Sequence, residues 1–187
     1  VVSCEYRVLN NKVFFPENLY DVRDTVKWVI ENGNRYELDR NKIGLWGTSA
    51  GGNLALMVGL ADNNKIFEQH YNETIVKYID FIISFAGPTD FTNKNLSIQK
   101  EITDFFIGKD ININLLKKAS PLYYLDQDIP PIMLVHGKKD LIVPYSQSIK
   151  FYKKAKESNE KCKLITVAGG HTINPSFLLR LEMVKNS

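Results

Sequence analysis

Few cysteines, little net charge and no long apolar run narrow the class of this chain before any motif is read. Only two cysteines occur in 187 residues, too few for the disulfide framework of a small secreted domain. Neither Cys4 nor Cys162 has the histidine or second-cysteine spacing of a metal site, so no metal and no cofactor is expected. Two free thiols favour a reducing compartment, and a cytoplasmic location is the expectation. No apolar stretch approaches the roughly 20 residues of a membrane-spanning helix. The formal net charge is +3, and Lys150, Lys153, Lys154 and Lys156 read as a solvated helix face, so nucleic acid is not an expected partner. Internal repeats and low-complexity tracts are lacking as well. What remains, 44% hydrophobic and 24% charged residues, is ordinary for one globular domain spanning 1–187.

The informative segment is Lys42-Ile43-Gly44-Leu45-Trp46-Gly47-Thr48-Ser49-Ala50-Gly51-Gly52-Asn53-Leu54. One serine stands between two near glycines, with an apolar strand candidate before it and an apolar helix candidate after it. Ile43, Leu45 and Trp46 predict a short buried strand. Leu54, Ala55, Leu56, Met57, Val58, Leu60 and Ala61 predict a helix apolar nearly all round. A G-x-S-x-G pattern in that context is a nucleophile elbow, a turn so sharp that side chains flanking the serine would collide. Gly47 and Gly51 are therefore expected to remove those Cβ atoms and let Ser49 project. The helix that starts at once would aim the Ala50 N–H at an oxyanion formed on a bound carbonyl.

A serine hydroxyl needs a base, and the base needs a carboxylate to fix its tautomer. Of three histidines, only His171 follows the final strand candidate Lys163–Val167, across Ala168-Gly169-Gly170, where two glycines let the loop swing back over Ser49. His136 closes the buried run Ile132–Val135 and reads as a structural histidine satisfied by local backbone, and His70 as a solvated one. Asp140 leaves the carboxyl end of that same run, where α/β sheets collect active-site residues. Asp90, in Gly87-Pro88-Thr89-Asp90-Phe91, reads as a turn or helix cap. Asp126 and Asp128, ahead of Pro130 and Pro131, read as surface residues. The chain order Ser49, Asp140, His171 is that of serine hydrolases built on a mostly parallel sheet.

Several stretches together resemble the α/β-hydrolase esterases: Cys4-Glu5-Tyr6-Arg7, Phe14-Phe15-Pro16, Asp21-Val22, Gly47-Thr48-Ser49-Ala50-Gly51-Gly52, Gly87-Pro88-Thr89-Asp90 and His136-Gly137-Lys138-Lys139-Asp140. The resemblance is to carboxylesterases and feruloyl or acetyl-xylan-type esterases, alongside hormone-sensitive-lipase-like enzymes, and it runs from Val1 to about His171. It implies a serine hydrolase cleaving carboxylic esters, of short-chain or carbohydrate-linked acyl groups, through an acyl-enzyme on Ser49. A serine peptidase of the prolyl-oligopeptidase type and a non-catalytic hydrolase-like binding protein are the alternatives. In that family the strand resembling Val1–Val8 follows sixty or more further residues, which carry early strands and a His-Gly-Gly loop with the second oxyanion donor. The chain opens instead with Val1 in mid-strand, so the expectation is an amino-terminally truncated domain. Its first strand then either pairs directly with the nucleophile strand, or an upstream segment or second chain completes the sheet.

The rest of the pattern predicts a doubly wound, mostly parallel α/β sheet of the α/β-hydrolase type, lacking its first strands. Val22, Val26, Val29 and Ile30 form one helical stripe that Gly33 should stop. Ile79–Phe85 is a further buried strand. Ile149, Tyr152 and Ala155 face a helix inward, and a closing helix is expected from Ser176 to Val184. The span 91–125, with Phe105-Phe106 and Tyr123-Tyr124, is either a small cap lining an acyl or aryl pocket or a pair of packing helices.

Overall fold

A computed structural model of the chain describes residues 1–8, 15–61, 71, 73–92, 112–125, 129–158 and 161–172. Four strands form one parallel sheet in simple sequential order: β1 (Ile43–Thr48), β2 (Ile79–Phe85), β3 (Ile132–Gly137) and β4 (Cys162–Val167). Between them run α1 (Glu17–Asn32) ahead of β1, α2 (Ala50–Ala61), the short α3 (Ile113–Lys118) and α4 (Ser146–Ser158). Parallel pairing requires each connection to cross back over the sheet, which the helices do.

One face of the sheet holds the main core. Leu45, Ile82 and Leu134 point into it from the strands, and Leu19 and Val26 of α1, Leu54 to Ala61 of α2, and Phe151 and Ala155 of α4 close over them. α2 is the centre of this packing, buried from Gly52 to Ala61. Each of its fully buried Leu, Met and Val side chains contributes about 1.5–3 kcal/mol relative to exposure. The opposite face carries Phe85 and Val135 with half-buried Ile83, Met133, Ile165 and Val167. The expected closing helix Ser176–Val184 lies outside the described residues, as do His70, Phe14, Phe105, Phe106, Asp126 and Asp128.

Several expectations need correction. Residues 1–8 form no strand: Arg7 binds Asp21 through its backbone N–H at 2.8 Å and its guanidinium at 2.9 Å, and the segment lies against α1 instead of pairing with β1. Neither cysteine is bridged; Cys162 is buried, whereas Cys4 is only half-buried beside Thr25. β1 is not buried throughout. Among the described residues it pairs only with β2, Leu45 alone within it is buried, and Trp46 is 57% exposed beside Phe85. The α1 stripe is shifted likewise: Leu19, Arg23 and Val26 are buried, while Val22 and Val29 are half-covered because they border a groove at the open edge of β1. Gly33 does stop α1, as its C-cap, but in the right-handed rather than the left-handed region. The helix tightens into a 3₁₀ turn, Gly33–Tyr36, and the left-handed residue is Glu37 at φ 57°. In α4 Ala155 is buried as expected, but it shares the core with Phe151, while Ile149 and Tyr152 are only half-buried.

Within the span 91–125, α3 is capped by Asn112, whose side chain accepts from the Leu115 N–H at 3.0 Å. Tyr124 packs against the core and Tyr123 stays exposed, its hydroxyl 3.0 Å from Thr92 Oγ1.

Candidate active site

The carboxyl ends of β1, β3 and β4 lie at the same edge of the sheet, since Thr48 is level with Phe85, Phe85 with Val135, and Gly137 with Val167. The three sequence candidates leave from those ends and meet. Ser49 Oγ lies 2.9 Å from His171 Nε2, and His171 Nδ1 lies 2.8 Å from Asp140 Oδ2. Asp140 has no exposed side-chain surface and His171 keeps 17% of its own. A buried acceptor with a half-open imidazole between it and a hydroxyl is the geometry for proton abstraction from that hydroxyl.

The strand-to-helix turn holds Ser49 in the left-handed region at φ 53°, a conformation that costs a non-glycine residue energy and is characteristic of sharp functional turns. Two backbone bonds tie it down: the Ser49 N–H donates to Phe85 O at 2.8 Å, and the Asn53 N–H donates to Ser49 O at 3.1 Å. Asn53 is itself buried and donates from Nδ2 to Pro88 O at 2.9 Å, locking the first turn of α2 to the loop after β2. Ala50 is the first residue of α2, so its N–H has no partner one turn back within the helix.

The expectation for the glycines is half right. A Cβ on Gly47 would stand 2.1 Å from the Gly51 carbonyl carbon and oxygen, so that position tolerates none. A Cβ on Gly51 would meet only Tyr6 Oη at 3.9 Å. The second obligatory glycine is Gly52, where a Cβ would come 2.7 Å from Ser84 Oγ and 3.1 Å from Gly87 Cα. The sequence signal for it was the doubled glycine, but the crowding comes from β2 and the loop after it, more than thirty residues away.

The loops that carry Asp140 and His171 are fastened to each other. The Lys138 N–H donates to Val167 O at 2.9 Å and the Lys139 N–H to Gly169 O at 3.1 Å, which brings the His171 loop back over the end of β3. Asp140 Oδ1 accepts from the Ile142 and Val143 N–H groups, each at 2.9 Å. His136 is buried, as expected of a structural residue, but its partners are more than local backbone: Nε2 reaches Asp140 Oδ2 at 3.1 Å as well as Val143 O at 2.9 Å. Burial holds the His136 imidazole below the usual histidine range, keeping the ring neutral.

Asp90 stands apart from the three. Its Oδ1 accepts from the Thr92 N–H at 2.9 Å and the Thr92 hydroxyl at 2.6 Å, the turn cap read from the sequence, and Lys150 Nζ lies 2.5 Å from Oδ2. Burial alone would raise its carboxyl; Lys150 and Thr92 outweigh that and hold it below the usual carboxylate range. Gln147 Oε1 accepts from the Thr89 and Asp90 N–H groups at 3.0 and 2.7 Å, tying the loop after β2 to the first turn of α4. Among the described residues no cluster of three or more His, Cys, Asp or Glu side chains is arranged to hold a metal ion, and no helix is long and apolar enough to cross a membrane.

Residues 1–155 match the family model described as BD-FAE. The chain is 26% identical over 156 residues to Esterase LipC of Mycobacterium tuberculosis, covering 80% of this chain and 38% of that protein. It is 30% identical over 142 residues to Esterase LipQ of the same organism, covering 73% of this chain and 34% of that one. Among solved structures, a truncated form of a carbohydrate esterase from gut microbiota superposes with a TM-score of 0.75 at 22% identity, covering 94% of this chain and 70% of the other. The chain thus spans little more than a third of the length of these curated relatives, and the sheet it forms is that of the α/β-hydrolase fold.

Proposed function

Because the chain belongs to the BD-FAE family, we propose that it forms the catalytic part of a carboxylic ester hydrolase that works through an acyl-enzyme on Ser49. The observation that carries this reading is the unbroken line from Ser49 Oγ to His171 Nε2 at 2.9 Å and from His171 Nδ1 to Asp140 Oδ2 at 2.8 Å. In the first half-reaction Ser49 Oγ bonds to the ester carbonyl carbon and its proton passes to His171 Nε2, while Asp140 stabilises the imidazolium and the Ala50 N–H holds the oxyanion. The carbon–oxygen bond to the alcohol then breaks, and the leaving oxygen takes the proton from His171. In the second half, water gives its proton to His171, attacks the acyl carbon and releases the acid, returning the proton to Ser49.

The reading takes short-chain or carbohydrate-linked acyl esters as substrates, in keeping with the carbohydrate esterase among the structural neighbours. Hydrolysis of p-nitrophenyl acetate and butyrate well above the buffer rate is the expected result. A peptide p-nitroanilide turned over faster than either ester would replace esterase with peptidase, and no turnover of any of them by the full natural chain would leave only a binding protein.

The proposal extends to a strand beside β1 supplied by polypeptide preceding Val1. Three features support it. Among the described residues β1 has a partner on one side only, Trp46 is exposed, and a groove of about 620 Å³ runs between that edge, α1 and residues Val1 to Tyr6. An unpaired parallel strand presents a row of N–H and C=O groups that a folded protein pairs or covers. The same upstream polypeptide would carry the second oxyanion donor that the family resemblance implies. Loss of one such donor costs about a hundredfold to a thousandfold in kcat, so the 187-residue chain should be slower than a chain extended upstream by at least that factor. Equal rates on p-nitrophenyl butyrate would remove the need for the segment.

A further inference from the structure

One titratable side chain outside the Ser49–His171–Asp140 line touches it. His136 lies near the end of β3 with no exposed surface. Its Nε2 faces two acceptors, Asp140 Oδ2 at 3.1 Å and Val143 O at 2.9 Å, and its Nδ1 lies 2.7 Å from Ser148 Oγ in the first turn of α4. A carbonyl and a carboxylate cannot donate, so the ring proton sits on Nε2, and Nδ1 accepts from the Ser148 hydroxyl. The two acceptors at Nε2 thereby select the tautomer of His136 that can donate to Asp140, and the Ser148 hydroxyl, able to donate or accept, turns its proton to Nδ1. The acceptor count on Asp140 then closes. Oδ1 takes the Ile142 and Val143 N–H groups, and Oδ2 takes His171 Nδ1–H and the His136 Nε2–H, which is shared with Val143 O, so four donors face the carboxylate's four lone-pair positions.

We propose that His136 is a positioning residue for the reaction assigned above: as a neutral Nε2–H donor it fixes the rotation of the Asp140 carboxylate and shares Oδ2 with His171. The inference rests on that assignment for its kinetic consequences and on the hydrogen-bond pattern alone for its structural ones. Two effects follow. Without the second donor, the carboxylate is held on Oδ2 only by His171 and is freer to turn, which misaligns the imidazole against Ser49. And Oδ2, relieved of a donor, concentrates more of its charge on His171 and stabilises the imidazolium more strongly. The base then stays protonated to higher pH.

A neutral donor suits this place better than a cation. A charged ring beside Oδ2 would oppose the imidazolium that His171 must become, and burial together with the nearness of His171 keeps His136 uncharged. The titratable groups that face His136 from the elements packed on it are Asp140, His171 and the Tyr145 phenol, whose ring lies 5.7 Å away with its hydroxyl paired to Thr166 Oγ1 at 2.6 Å.

The test compares His136→Phe, which keeps a ring and removes both nitrogens, with His136→Gln, whose Nε2 can donate where the imidazole did, in the full natural chain. His136→Phe is expected to lower kcat by about tenfold with little change in KM, and to move the acid limb of the kcat/KM profile to higher pH. His136→Gln should restore most of both. A Phe variant with the wild-type limb, or Phe and Gln variants equally impaired with no shift, would reduce His136 to packing and overturn the proposal. ¹⁵N imidazole spectra of the unmutated protein judge it without activity or a stable variant: His136 should stay neutral and protonated on Nε2 across the folded range. A ring protonated on Nδ1, or one that takes up a second proton while the fold persists, would overturn it. Should the wild-type chain turn over no ester at all, the hydrolase reading fails while the spectra still decide the role of His136.

Discussion

Ser49→Ala is expected to abolish covalent labelling by a fluorophosphonate and to lower ester turnover by about 10⁴-fold to 10⁶-fold. The substitution removes the oxygen that lies 2.9 Å from His171 Nε2, so His171 keeps its bond to Asp140 and loses its described hydroxyl partner. Little else should change. The side chain is half-buried, the left-handed backbone at φ 53° is as accessible to alanine as to serine, and the bonds that hold the turn are backbone bonds to Phe85 and Asn53. Melting should therefore stay within a few degrees of wild type. A variant that still labels stoichiometrically places the nucleophile elsewhere. One that neither labels nor folds is resolved by His171→Gln, which leaves the turn untouched and should lose labelling while keeping the melting curve.

That test targets the part of the molecule most legible in the primary structure. Ser49, Asp140 and His171 could be found because each is announced by its immediate neighbours: a strand before it, and glycines or a loop after it. Chain order supplied the rest. What could not be read locally depends on segments distant in sequence. Trp46 looks like a core residue within β1, yet it is exposed because β1 has no described neighbour on that side. Residues 1–8 have the alternation of a strand, but Asp21 captures Arg7 and holds the segment on α1. His136 was separable as structural from its place in a buried run. Its bond to Asp140 follows from how tightly the loop Gly137–Val143 turns back on the end of β3, and a short run of polar residues does not announce that.

The glycines of the elbow show the same limit and give the second prediction of large effect. The motif treats Gly47 and Gly51 as equivalent flanks of the serine, and the structure separates them. Gly47→Ala drives a Cβ to 2.1 Å from the backbone of Gly51, and neither partner can yield, because one lies near the end of β1, hydrogen-bonded in the sheet, and the other in the first turn of a buried helix. Relieving the clash must open the turn, so labelling should be lost and stability should fall by about 1–3 kcal/mol or more, as in other overpacked sites. Gly51→Ala meets only Tyr6 Oη at 3.9 Å and sits within α2. A glycine in a helix is destabilising by about 0.5–1 kcal/mol relative to alanine, so this variant should melt slightly higher than wild type and still label. Urea denaturation read alongside probe labelling distinguishes the two cases. If both alanine variants fail alike, the crowding at the elbow is symmetric, as the sequence motif alone would have it. If both succeed, the turn is looser than a 2.1 Å approach allows, and Ser49 is not held in the posture from which it could attack.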